Sequence, residues 1–257
     1  MKLAFREFGK GPPLIILHGL FGQSDNWNNL AKNFAENNFH VFTIDQRNHG
    51  LSPHSNDWNY EIMADDLKEF IDEYKLKKPI ILGHSMGGKT CLFFEWKYPS
   101  LANKIIIADI AARFYEPHHT EVIEALKHID FEKIKTRKEA ELVLNKYITD
   151  FGTKQFLLKN IYWKDSLNGL MDWRFNLKVI SASINNAGVA VPQFQSEVKC
   201  LLINGEKSNY INENDKKDFI QRFKDCKIET IKNAGHWLHA EKPKEFFNLV
   251  LGFIKEA

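Results

Sequence analysis

The chain has 257 residues, 44% of them hydrophobic and 26% charged, with a net charge of +2. That is enough chain for one large domain or a domain with an insertion, and the composition is that of a globular protein. The basic residues are scattered, which leaves no electrostatic footprint for nucleic acid, and no apolar run reaches the roughly 18 residues that span a bilayer. The opening stretch carries Arg6 and Glu7 where a signal peptide needs its apolar core. Cys91, Cys200 and Cys226 form no CxxC pair, so they indicate neither a disulfide framework nor a metal site and read as small hydrophobes in a reducing compartment. The expectation is a soluble, cytoplasmic protein that needs no cofactor; nothing in the sequence speaks to its oligomeric state.

In chain order, apolar runs of strand length fall at LAFREF (3–8), PLIILH (13–18), HVFTID (40–45), PIILGH (79–84), KIIIAD (104–109), VKCLLING (198–205) and CKIETIKN (226–233). Several are continuous in Ile, Leu and Val rather than alternating, which suggests strands buried on both faces of a parallel sheet. Between them, residues 60–74 space Ile62, Leu67, Phe70 and Ile71 helically. Residues 86–98 and 243–255 read the same way, the latter opening on Pro243. This alternation predicts an α/β fold with right-handed crossovers. Residues 110–197 break the rhythm: no clear strand is visible, and EVIEALKHID and RKEAELVLNKYI read as helices. The interval is rich in aromatic residues, as expected of a helical cap over the carboxyl edge of the sheet.

The run PIILGHSMGGKT ends a buried strand in Gly83-His84-Ser85-Met86-Gly87. This fits G-x-S-x-G, a strand-to-helix turn that exposes the serine hydroxyl as a nucleophile. A serine needs a base, and the base needs a third group to hold its tautomer. Of the ten histidines, His118, His119 and His128 fall in the interval, whereas His236 follows the last strand, in IKNAGHWLHAEKP. His236 is therefore the expected base, with His239 in or near the next turn. Two carboxylates compete for the third role: Asp109, whose place at the carboxyl end of its strand makes it the expected acid, and Glu206, directly after Gly205, as the alternative. For the oxyanion, the Met86 amide is one expected donor. The loop His18-Gly19-Leu20-Phe21-Gly22 supplies the other, from Leu20 or Phe21. Phe21, His84, Trp173 and Trp237 are the expected pocket residues.

These pieces together resemble the α/β-hydrolase superfamily, and within it the YbfF-like esterases. The resemblance rests on HGLFGQSDNW (18–27), DQRNHGLSP (45–53), GHSMGGK (83–89), DIA (109–111), QFLLKN (155–160), WRFN (173–176) and AGHWLHAEKP (234–243). It implies a mostly parallel central sheet flanked by helices, with a helical cap after the sixth strand. The expected division is a core of residues 1–112 and 194–257 with a cap of residues 113–193. The resemblance also implies that Asp109, at the end of that sixth strand, supplies the acid; Ser208 stands where the wider superfamily keeps its aspartate. The implied activity is hydrolysis of carboxylic esters or acyl thioesters, on a small-molecule substrate with an apolar acyl group. C–C hydrolases, lactonases, acyltransferases and slow, receptor-like binding proteins share the scaffold. Arg47, Arg113 and Arg174 are the cations that could meet an anionic group on a substrate.

Overall fold

The computed structural model describes residues 1–116 and 119–256; His118 lies outside them. The chain opens with β1 (Phe5–Phe8), β2 (Pro13–Leu17), α1 (Asn28–Glu36), β3 (His40–Ile44), α2 (Tyr60–Glu73), β4 (Ile80–His84), α3 (Met86–Lys97) and β5 (Lys104–Ala108). There follow α4 (Thr120–Lys127), α5 (Arg137–Leu144), α6 (Phe151–Leu158), β6 (Ile161–Asp165), β7 (Leu170–Trp173), α7 (Leu177–Ala182) and α8 (Asn185–Gly188). The chain then continues through β8 (Lys199–Gly205), α9 (Glu213–Arg222), β9 (Cys226–Ile231), α10 (Leu238–Glu241) and α11 (Pro243–Lys255).

The seven apolar runs pair into one sheet in the order β1-β3-β2-β4-β5-β8-β9. β1 is antiparallel to β3, and the other pairs are parallel. Side chains alternate across a strand, so a continuous apolar run fills two cores at once. Leu14, Ile16, Val41, Leu82, Ile106 and Leu201 pack on one side with Trp27, Phe34, Phe246 and Val250. Ile15, Leu17, Phe42, Ile81, Ile105 and Ile107 pack on the other with Leu67, Phe70 and Phe94. Each such side chain stabilises the fold by about 1.5–3 kcal/mol on burial. The parallel strands send their carboxyl-terminal loops to one edge, where open α/β sheets hold ligands.

Two sequence expectations need correction. The long interval leaves the sheet after β5, the fifth strand of this chain rather than the sixth; a single antiparallel strand precedes the parallel set, so every later strand counts one lower. Nor is the interval wholly helical, because β6 and β7 form a two-stranded antiparallel sheet. Asp165 accepts the amides of Leu167 and Asn168, and Gly169 takes a φ of 64°. That turn chemistry folds a short hairpin whose exposed Trp163 and Lys164 hide the usual alternation.

Ile106 is fully buried and sits in register between Leu82 and Leu201. Ile106→Ala is expected to lower unfolding stability by about 2–5 kcal/mol, read from urea midpoints at unchanged m-value. A loss below about 1 kcal/mol would contradict the two-faced packing of β5.

Candidate active site

The elbow is built by backbone crowding. A Cβ on Gly83 would lie 2.2 Å from the Gly87 carbonyl oxygen, and one on Gly87 would lie 2.3 Å from that of Leu17. Only glycine lets β2, β4 and the first turn of α3 approach so closely. Between them Ser85 takes φ 51° and ψ −117°, a strained conformation for a residue with a side chain, and its amide donates to the Ala108 carbonyl at 3.0 Å. Ser85 immediately precedes the first residue of α3, where the helix dipole is positive.

Asp109 follows β5 and also has positive φ, 51°, with its amide tied to the Ile203 carbonyl at 2.8 Å. Its carboxylate is wholly buried and accepts three hydrogen bonds: from the Gly205 amide at 3.0 Å, the Ser208 hydroxyl, and His236 Nδ1 at 2.7 Å. Burial pushes its pKa up to about 6, against the pull of Ser208 and Gly205 toward the charged form. Glu206 turns elsewhere and accepts the Asn233 amide at 2.7 Å. Of the two competing carboxylates, the fold brings Asp109 to the imidazole.

His236 stacks its ring on Tyr210, with centroids 3.8 Å apart and planes 13° from parallel. Its carbonyl accepts from His84 Nε2 at 2.8 Å. His84 is only 1% exposed, and its ring is enclosed by those of His236, Trp237 and His239. Its ring is enclosed by those three rings and its Nε2 is committed to the His236 carbonyl, so the expectation for His84 is corrected: it packs beneath the histidine loop, and burial holds its pKa well below the ordinary value. His239 falls just past the turn of residues 236–237, as expected. It lies in α10, buried and stacked on Trp27 at 4.2 Å.

A second network shapes the loop after β2. His18 Nδ1 donates to the Gly19 carbonyl and its Nε2 accepts the Gln46 amide, while Gln46 donates back to the His18 carbonyl and accepts from Thr90 of α3. Phe21 has φ 59°, and its amide donates to His49 Nε2 at 3.2 Å. His49 Nδ1 donates to the Arg47 carbonyl, and burial lowers the His49 pKa to about 3, which keeps Nε2 an acceptor. The Phe21 amide is thus engaged, which leaves Leu20 as the loop's candidate donor. A Cβ on Gly19 would lie 3.3 Å from the Ser85 Cβ, so this loop runs directly against the elbow.

From the loop a row of rings leads into residues 113–193: Phe21 on Phe175 at 4.9 Å, Phe175 stacked on Trp173 at 5.1 Å, and Trp173 on Phe131 at 5.2 Å. Trp237 contacts Phe156 and lines a cleft of about 640 Å³ with Asn28, Asn29 and Gln155. Arg47 is held by Asp66 and Arg113 by Asp215, whereas Arg174 lies over the Tyr162 ring. Sequence reasoning missed Ser208 and Tyr210 as neighbours of the acid and the histidine; the only signal was a hydroxyl where the superfamily has a carboxylate.

A family pattern described as alpha/beta hydrolase fold matches residues 12–243. The chain belongs to the α/β-hydrolase fold family. This α/β-hydrolase is 30% identical over 247 residues to Esterase YbfF of Escherichia coli, covering 95% of this chain and 93% of that protein. It is 33% identical over 256 residues to an sn-1-specific diacylglycerol lipase of Danio rerio, covering 96% and 80%. A solved structure titled "Marine microorganism esterase" superimposes with a TM-score of 0.94 at 43% identity, covering 98% and 99%. The chain is an α/β-hydrolase of the esterase/lipase kind, grouped with YbfF. Among the described residues, no helix is long and apolar enough to cross a membrane.

Folding raises the Asp109 pKa from 3.8 to about 6, so the native state holds that proton more tightly than the unfolded chain. The stability tied to this group is present below pH 3.8 and lost as pH rises to about 6. Asp109→Asn removes the titration. Relative to the parent, its stability is expected to climb between pH 4 and 7, by a change on the order of 3 kcal/mol. A difference that stays flat across that range would mean the carboxylate is not strained by burial.

Proposed function

We propose that the chain is a serine hydrolase that cleaves carboxylic esters or acyl thioesters through an acyl-enzyme, with Ser85, Asp109 and His236 as its triad. The observation that carries this reading is the 2.7 Å contact between Asp109 Oδ2 and His236 Nδ1, made beside a strained, glycine-flanked serine. Asp109 holds the imidazole with Nδ1 protonated. His236 takes the Ser85 proton as Oγ attacks the acyl carbonyl, and the Leu20 and Met86 amides stabilise the tetrahedral oxyanion. The C–O or C–S bond then breaks, the leaving group takes the proton from His236, and water repeats the sequence to release the acid.

The row of rings from Phe21 to Phe131 supports an apolar acyl group, and it draws on both the core (1–112 and 194–257) and a cap (113–193). The ion pairs at Arg47 and Arg113 weaken the idea that either reads an anionic substrate group.

Ser85→Ala should lose at least about a thousandfold in turnover of p-nitrophenyl esters at unchanged melting temperature, as single triad deletions do. Glu206→Gln should stay within about tenfold of the parent, a barrier change of only 1.4 kcal/mol. Turnover that survives Ser85→Ala would sink the mechanism.

The acid limb of kcat/KM reports the Asp109–His236 pair as a unit. Ser208 pulls the Asp109 pKa down, so Ser208→Ala should raise it and move the acid limb to higher pH by about one unit. A limb that stays in place, or moves to lower pH, would remove Ser208 from the acid's support.

A further inference from the structure

Lys89 lies on α3 four residues after Ser85, and none of its surface reaches solvent. Its ammonium has three protons and meets three carbonyl oxygens: Arg113 at 2.9 Å, Gly188 at 3.1 Å, and Val189. The Tyr115 and Tyr60 rings face it at 5.0 and 5.9 Å. No carboxylate pairs with it among the described residues. A buried ammonium survives only when its donors are satisfied; here backbone carbonyls do all of it, so the contact fixes backbone rather than neutralising a side chain.

Where those carbonyls sit gives the contact its meaning. Arg113 lies near the start of the segment between β5 and β8, and Gly188 and Val189 lie at the end of its last helix. One ammonium on the elbow helix therefore grips both ends of the insertion. The ends also bond to each other, Tyr115 amide to Gly188 carbonyl at 2.8 Å and Val191 amide to Ala112 carbonyl at 2.8 Å. They pass so closely that a Cβ on Gly188 would lie 2.0 Å from the Tyr115 oxygen.

We propose that Lys89 is a positioning residue, a clasp that locks both stalks of the insertion to the elbow helix and thereby fixes the Phe131, Trp173 and Phe175 wall that selects the acyl chain. This rests on the serine-esterase reading above for its substrate, but not for the clasp itself. An acyl chain long enough to touch that wall depends on its placement; an acetyl group does not.

Lys89→Met keeps the length and removes every donor. Gly188→Ala leaves Lys89 intact and displaces its carbonyl cage. In both variants kcat/KM for p-nitrophenyl acetate should stay within about threefold of the parent. For p-nitrophenyl octanoate it should fall by about twentyfold or more, through KM, with kcat within about threefold. An equal loss on both esters, or no loss on the octanoate, overturns the proposal. Limited proteolysis supplies a readout that needs no turnover: cleavage within residues 113–193 should be about tenfold faster in the variants, as expected of a local opening made easier. Equal cleavage rates overturn the clasp even if the parent hydrolyses neither ester, an outcome that would separately defeat the esterase reading.

Discussion

The Asp109 carboxylate is the constraint around which the carboxyl edge of the sheet is arranged. A desolvated charge must collect donors, and here they come from two later segments of the chain: Gly205 at the end of β8 with Ser208 just after it, and His236 after β9. Each bond draws one loop toward the end of β5. The strained φ of Asp109 and its amide bond to Ile203 aim the carboxylate where those loops converge. The cost of burying the charge and the order of the site are therefore the same fact, because a more solvated carboxylate would hold none of the three donors as firmly.

Neutral histidines do comparable work one layer away. His18, His49 and His84 are buried and each is pushed toward the neutral form; His18 and His49 use both ring nitrogens to tie one loop to another, and His84, at the end of β4, donates through Nε2 to the His236 carbonyl. A neutral imidazole offers one donor and one acceptor at opposite sides of a rigid ring, which suits it to spacing two backbones that lack a shared strand. The glycines at 83 and 87 solve the opposite problem, where two backbones must almost touch.

Much of this was legible in the sequence. Continuous Ile, Leu and Val runs announce strands buried on both faces, and all seven runs became strands of the sheet. The elbow was legible because its glycines answer a local steric demand. Asp109 was favoured over Glu206 by its place at the carboxyl end of a strand, and by the resemblance; spacing alone left Glu206 as the fallback, since the choice depends on which carboxylate the fold turns toward His236. Ser208 stood out only as a departure from the superfamily, and Tyr210 not at all, because their roles arise from the approach of the segment after β8 to Asp109 and to His236. The hairpin of β6 and β7 escaped notice because one side chain, Asp165, makes its turn and one of its faces is exposed. His84 looked like a pocket residue from its place beside the serine, but burial is a property of the packed molecule.

The asparagines that join residues 113–193 to the rest bear on how such proteins diversify. Asn160 donates to the Phe21 carbonyl, Asn176 to Asn48, and Asn186 to the Trp58 carbonyl. All three anchors lie in loops of the first sixty residues, and one of them is the loop that carries the Leu20 amide. An insertion stitched in this way is not a freely exchangeable module. A transplant of a foreign segment between β5 and β8 that omitted these amides would strip the Phe21 carbonyl, the Asn48 side chain and the Trp58 carbonyl of these partners, the first of them in the loop that runs against the elbow. Variation in the row of rings from Phe21 to Phe131 is thus expected to come from substitutions between the stitches rather than from wholesale exchange of the segment.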